Sequence, residues 1–365
     1  LIFSKDPKTH RLFEIECLRG FAALYVVFFH VLRPEVQEYS YILSIPFRFG
    51  QEAVILFFLL SGFSINYSWS QRPQKTFRIF ARERLVRIMP IFLVALLATY
   101  VCTALAAREW IDIELGTFIG NALMLQDRPR LGTIVEPYMG NQALWSLSYE
   151  VAFYLFYYVL VRFTSPSHRT VVVGMTSVVF FLVMLAYPNQ LSRFLAYFCI
   201  WWLGAVMSEI YLGRAQAKEF FLALLPVALV ALCLALLASN SDVAIDIGSS
   251  VLFPFLELRH FAGALVIALA MFVWSLNGWK GFRPLFAPFA LLAPVSYAVY
   301  VLHFPIMADM RESLELSPWL TIPVTAVVTL VFAILLEGPF QRAINRAVKA
   351  RKQKISLTSQ SHQTP

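Results

Sequence analysis

Ten apolar runs of bilayer-spanning length leave this chain little choice of fold. They fall at roughly 18–32, 50–68, 88–107, 143–162, 170–187, 194–212, 220–238, 260–276, 288–308 and 319–337. Lipid offers no hydrogen-bond partners, so a spanning segment must satisfy its own backbone as a helix or join a closed barrel. Runs this long read as helices, and the expected fold is an all-α polytopic bundle of about ten transmembrane helices. With 59% hydrophobic residues and only 14% charged ones, the chain cannot cover a water-facing surface of its own. No internal repeat or separate soluble domain interrupts the runs, so residues 1–354 read as one integral membrane domain. The stretch 355–365, ISLTSQSHQTP, reads as a disordered tail.

Charge supplies an orientation. With the N-terminus inside, 22 of the 30 Lys and Arg residues fall in inner segments and 8 in outer ones. The positive-inside bias then places both termini in the cytoplasm and the longest connection, 108–142, outside. That connection carries Asp112, Glu114, Asp127 and Glu136, and loops of such length tend to be functional. The net charge of +8 is thus topological, clustered at segment ends, and nucleic acid is not an expected partner. The basic stretch 341–354 suits an anionic inner leaflet, in keeping with a plasma (inner) membrane. Cys17, Cys102, Cys199 and Cys233 lie in or beside apolar runs without ligand spacing, so neither a disulfide framework nor a metal site is expected. The first residues are polar and the first apolar run holds ionisable side chains, so no cleavable signal peptide is expected.

That first run, CLRGFAALYVVFFH, places Arg19 and His30 eleven residues apart. Eleven steps are very nearly three helical turns, so the two lie on one face about 16 Å apart. An ionisable side chain within an apolar span is functional by default. Two more belong to later spans. Glu150 sits about five residues into a helix that starts outside, and His303 lies on a helix running outward. Counted from the segment ends, His30, Glu150 and His303 reach a similar depth and form one expected polar pocket. The plain alternative is a buried pair that only fixes helix packing. Trp145 and Tyr149 are candidates for stacking on a ligand, or else interfacial anchors. Ser61-Gly62 reads as a site of close helix approach. Glu52, Glu209 and His260 receive no role.

Six segments, in order, resemble the acyltransferase-3 family of integral membrane enzymes, which move acyl groups onto sugars and other hydroxyl acceptors. LRGFAALYVVFFH is similar to the family's R-x10-H helix, and LFFLLSGFSI (56–65) to its FF-x-x-SGF signature. RERLVRIMPIF (82–92) matches a basic run ending in R-x-x-P, and LWSLSYEVAFYL (144–155) a W-S-L-x-x-E segment. SYAVYVLHFPI (296–306) matches S-Y-x-x-Y-x-x-H-x-P, and Glu337-Gly338-Pro339 the closing E-x-P. Many members carry a carboxylate two residues before the paired phenylalanines; here that position is Ile55.

The resemblance implies a donor and an acceptor. Attack by a hydroxyl on a thioester needs a base for the hydroxyl proton and a donor for the oxyanion. His30 suits the first task, because histidine titrates near neutral pH. Glu150 and His303 complete the expected catalytic group, with Glu150 orienting a histidine as a triad acid does. Arg19 is a natural ligand for the phosphates of acyl-CoA, since guanidinium grips phosphate bidentately. Arg82, Arg84 and Arg87 would add to that site or anchor their helix. A pantetheine arm would span the Arg19–His30 distance, so donor from the inner face and acceptor from the outer side is the expected arrangement. The expected reaction moves an acyl group, acetyl foremost, from acyl-CoA as co-substrate to a saccharide or glycolipid hydroxyl, with no tightly bound cofactor. A secondary transporter or acyl-group exporter is the contrasting class, but matched halves or glycine-broken helices are missing from the sequence. A receptor or scaffold has no use for the ionisable residues.

Overall fold

The structure, a computed structural model, describes residues 3, 12–72, 76–240, 252–309 and 317–361. Among these the secondary structure is helical, with one isolated bridge between Gln126 and Val135. The principal helices are α1 (Phe13–Tyr39), α2 (Gly50–Ser70), α3 (Phe77–Ala107), α4 (Leu115–Ala122), α5 (Trp145–Phe163) and α6 (Arg169–Ala186). They continue with α7 (Gln190–Tyr211), α8 (Ala217–Ser239), α9 (Phe255–Leu276), α10 (Ser296–His303), α11 (Pro318–Leu335) and α12 (Gln341–Ser361). Nine helices among the described residues are long and apolar enough to cross a membrane. A tenth is counted if Phe282–Leu291 and Ala293–Met307, bent by 44°, form one broken span. The ten expected runs thus all fall on helices. Helix α12 reaches Ser361 and so includes part of 355–365; residues 362–365 lie outside the described residues.

Surface composition identifies the solvent. Leu93, Leu97, Val101 and Leu105 recur every fourth residue on α3, and all are exposed. Val171, Met175, Val179 and Val183 do the same on α6. Stripes with helical period normally face a protein core. Exposed along whole helices, they face hydrocarbon instead.

The chain forms two compact units. One comprises Leu1–Pro73 with Ile113–Ala293, the other Gln74–Asp112 with Pro294–Pro365. In the first, α7 is central and packs against α2, α5, α6, α8 and α9. It starts under an Asn189 cap whose side chain accepts from the Ser192 amide at 2.9 Å. Its closest partner is α2, and two glycines explain why. A Cβ on Gly62 would lie 1.9 Å from the Trp201 carbonyl oxygen, and one on Gly204 would lie 1.9 Å from that of Leu59. Each backbone therefore touches the other where no side chain fits. Ser61-Gly62 was legible as a close approach; its partner Gly204 was not. Gly204→Ala is expected to cost about 1–3 kcal/mol through forced separation of α2 and α7. Thermal unfolding in detergent measures it, and an unchanged midpoint would show that the two helices part freely.

In the second unit, α3 packs against α10, α12 and the Phe304–Asp309 turn, and α10 packs against α11. Arg87 of α3 pairs with Glu337 through both guanidinium nitrogens, Nη2 at 3.1 Å from Oε1. Gln341 Nε2 donates to the Val86 carbonyl at 2.9 Å, and the Tyr297 hydroxyl to the Ile88 carbonyl at 3.0 Å. The R-x-x-P and E-x-P segments are therefore two halves of one joint.

Candidate active site

Arg19 and His30 share the unbroken helix α1; Pro34, its one internal proline, comes after both. Arg19 donates to Glu16 Oε1 at 2.9 Å and to Ser64 Oγ at 3.1 Å. Its side chain stays 31% exposed, so it retains an accessible edge while two partners fix its direction. One turn away on α2, Ser61 donates to the Glu150 carboxylate and accepts from Trp201 Nε1 at 3.1 Å. Tyr154 also donates to Glu150, at 2.6 Å. Glu150 thus accepts from α2 through Ser61 and from α5 through Tyr154, and Trp201 of α7 fixes Ser61 in turn.

The helix register separates His30 from Glu150. Phe29 is the neighbour of Gly50, whose Cβ would meet its ring at 2.2 Å, so His30 lies level with the start of α2. Ser61, the partner of Glu150, is eleven residues further along α2, about 16 Å at 1.5 Å per residue. Ser64, the partner of Arg19, is only three residues beyond that. Glu150 is therefore brought towards Arg19, and the expected common depth with His30 is not what the structure has. The reason is that α5 does not begin at the rim. Trp145 opens it against Phe58, eight residues down α2 from Gly50, with ring centroids 6.3 Å apart.

Trp145 and Tyr149 are enclosed. Trp145 is 2% exposed; it stacks on His260 at 5.7 Å, and the Arg128 guanidinium lies 4.8 Å from its ring centroid. Tyr149 is fully buried against Phe58, Phe194 and Tyr197. Neither ring shows a face to which a sugar could be laid, which corrects the stacking expectation. The burial has no local signal, because the W-S-L-x-x-E segment is covered by residues distant in sequence, Arg128 and His260 against Trp145.

What the Tyr149 hydroxyl touches is a buried ionic hub absent from the sequence reading. Asp127, fully buried, accepts from Arg193 Nε at 2.9 Å, Arg130 Nη2 at 3.1 Å and the Tyr149 hydroxyl at 3.2 Å. Arg130 also pairs with Glu257 and donates to the Tyr149 oxygen at 2.8 Å. Arg193 continues to the Leu131 carbonyl at 2.8 Å and Thr133 Oγ1 at 3.0 Å. Burial works against the Arg130 charge, but Tyr149, Asp127 and Glu257 prevail and hold its pKa above the ordinary arginine value. Beside the hub, His260 meets the Tyr197 hydroxyl at 2.8 Å, and Arg259 grips both Glu52 oxygens at 2.9 Å. Of the hub's charged residues the sequence singles out only Asp127, as one of the acidic side chains of the long connection.

The second unit carries the remaining candidates. His303 is fully buried at the end of α10, with Nδ1 2.7 Å from the Tyr300 carbonyl. In the neutral ring that bond places the proton on Nδ1 and leaves Nε2 as the lone-pair nitrogen. Arg82, Arg84 and Arg87 lie in the first turns of α3. Arg87 is committed to Glu337, whereas Arg84 Nε is a buried atom with no hydrogen-bond partner among the described residues.

Apolar stripes facing lipid, with serine, carboxylate and arginine contacts gathered along the inner faces, define a polytopic membrane protein with a built polar interior. The description "acyltransferase domain", the acyltransferase-3 family, matches residues 12–338, and the chain belongs to that family. It is 33% identical over 169 residues to acyltransferase MdmB of Streptomyces mycarofaciens, a match covering 43% of this chain and 41% of that protein. No solved structure matches.

Proposed function

We propose that this protein is a membrane-bound O-acyltransferase that moves a short acyl group, acetyl foremost, from acyl-CoA to a hydroxyl of a saccharide or glycolipid. The supporting observation is α1 itself. It holds a fixed but accessible Arg19 three turns from His30 in a chain whose family model spans residues 12–338. In this reading the acceptor hydroxyl loses its proton to His30 as its oxygen attacks the thioester carbonyl. The carbon–sulfur bond then breaks, the thiolate takes the proton back, and an ester and free coenzyme A leave. Arg19 binds donor phosphate. Glu150, held close to Arg19, orients the donor end of the path in place of His30; His303 offers Nε2 as a further proton acceptor. Both termini are cytoplasmic, the donor comes from that face and the acceptor from the other.

Oriented vesicles test the reading. Labelled acetyl-CoA is supplied on the face bearing the termini, and a saccharide acceptor on the opposite face. Label is expected covalently on the acceptor, with coenzyme A retained where it was supplied. Label emerging as intact acetyl-CoA would identify a transporter, and acylation only when both substrates share one face would reject transfer across the membrane.

A further inference from the structure

The connection between α3 and α5 lines an open cavity of about 470 Å³, within the range of small-molecule sites, roughly 300–1,000 Å³. Its lining is mostly polar: Glu114, Thr117, Arg130, Thr133 and Glu136 all contribute. Two buried amides hold the walls. Asn121 donates to the Thr117 carbonyl at 2.9 Å and the Glu136 carbonyl at 2.8 Å, and accepts from the Tyr138 amide at 3.0 Å. Gln190 at the start of α7 accepts from the Ile134 amide and donates to the Leu125 carbonyl, both at 2.9 Å. The cavity is thus preformed, and a ligand entering it meets little ordering cost.

Charge narrows the ligand. Asp127 and Glu257 balance the Arg130 and Arg193 charges in the hub, with Arg130 Nε left as a donor without a partner among the described residues, so the net charge at the cavity is that of the exposed carboxylates of Glu114 and Glu136. Carboxylates accept hydrogen bonds from sugar hydroxyls and repel uronates or phosphates. Arg130 also ties the cavity to the start of α5 through Tyr149, the residue before Glu150. We propose that this cavity is the acceptor's docking subsite, taking an uncharged sugar ring by its hydroxyls and excluding anionic sugars. The proposal rests on the acyltransferase reading above.

The test uses the full-length protein in nanodiscs with methyl glucoside and glucuronate as probes, and the double variant Glu114→Ala/Glu136→Ala. Transfer kinetics and saturation-transfer NMR are both recorded. Wild-type protein is expected to bind and acylate methyl glucoside and to reject glucuronate. The double variant is expected to raise the methyl glucoside KM at least tenfold, with the acetyl-CoA KM unchanged, and to weaken the NMR signal in parallel. Both side chains are exposed, so the unfolding midpoint should not move. Transfer with an unaltered methyl glucoside KM in the variant overturns the subsite and leaves the acyltransferase reading standing. Binding that the variant loses, without transfer in either protein, supports the subsite and counts against saccharide acylation. Absence of both binding and transfer overturns both.

Discussion

His30→Ala is expected to lower turnover by roughly 10²–10⁴ at saturating substrates, the usual worth of a positioned general base, while the protein inserts and purifies normally. The folding half of that expectation comes from the neighbouring residue. Phe29 is 8% exposed and forms the contact with Gly50, whereas His30 is half-buried. Removing the imidazole takes away its edge contact with the Phe29 ring, centroids 4.9 Å apart, but leaves Phe29 seated on Gly50. His30→Gln, which keeps bulk and polarity without a usable base, should be equally inactive. Wild-type turnover in purified His30→Ala would falsify the catalytic assignment. A loss of activity that tracks a loss of folded protein would assign His30 to packing.

Asp127→Ala is expected to be the most destabilising single change in the connection between α3 and α5, by about 3–5 kcal/mol. The carboxylate answers two guanidinium groups, one of them, Arg193, only 3% exposed. Its removal strands positive charge in a buried site, and such a charge costs far more than the pair itself was worth. Asp112→Ala, exposed in the same connection, should stay within about 0.5 kcal/mol of wild type. Thermal unfolding in detergent compares them, and equal midpoints would mean that water reaches the hub.

Hydropathy announced every spanning helix, because a lipid solvent imposes one backbone solution on each apolar run. Arg19 and His30 were visible for the same reason, as charges where charge is costly. The hub was hidden because its members come from one loop and three different helices. Arg193 meets Asp127 across 66 residues, and Arg130 meets Glu257 across 127. No local pattern encodes such pairs. The depth of Glu150 failed for a related reason. Counting from a segment's end assumes that the end sits at the rim, and α5 starts instead beneath the folded connection, with Trp145 against Phe58.

The joint between Arg87 and Glu337 has a consequence for the order in which the chain is made. The partners are 250 residues apart, and between them lies most of the first unit, which is complete once Ala293 has emerged. Synthesis delivers α3 early, then a whole unit that can settle by itself, and only at the end the carboxylate that α3 requires. For that interval Arg87 is a cation at the start of an apolar helix with its anion not yet made. A chain halted once Ala293 has emerged and before Glu337 has would hold the Asp127 hub assembled and α3 still awaiting its partners.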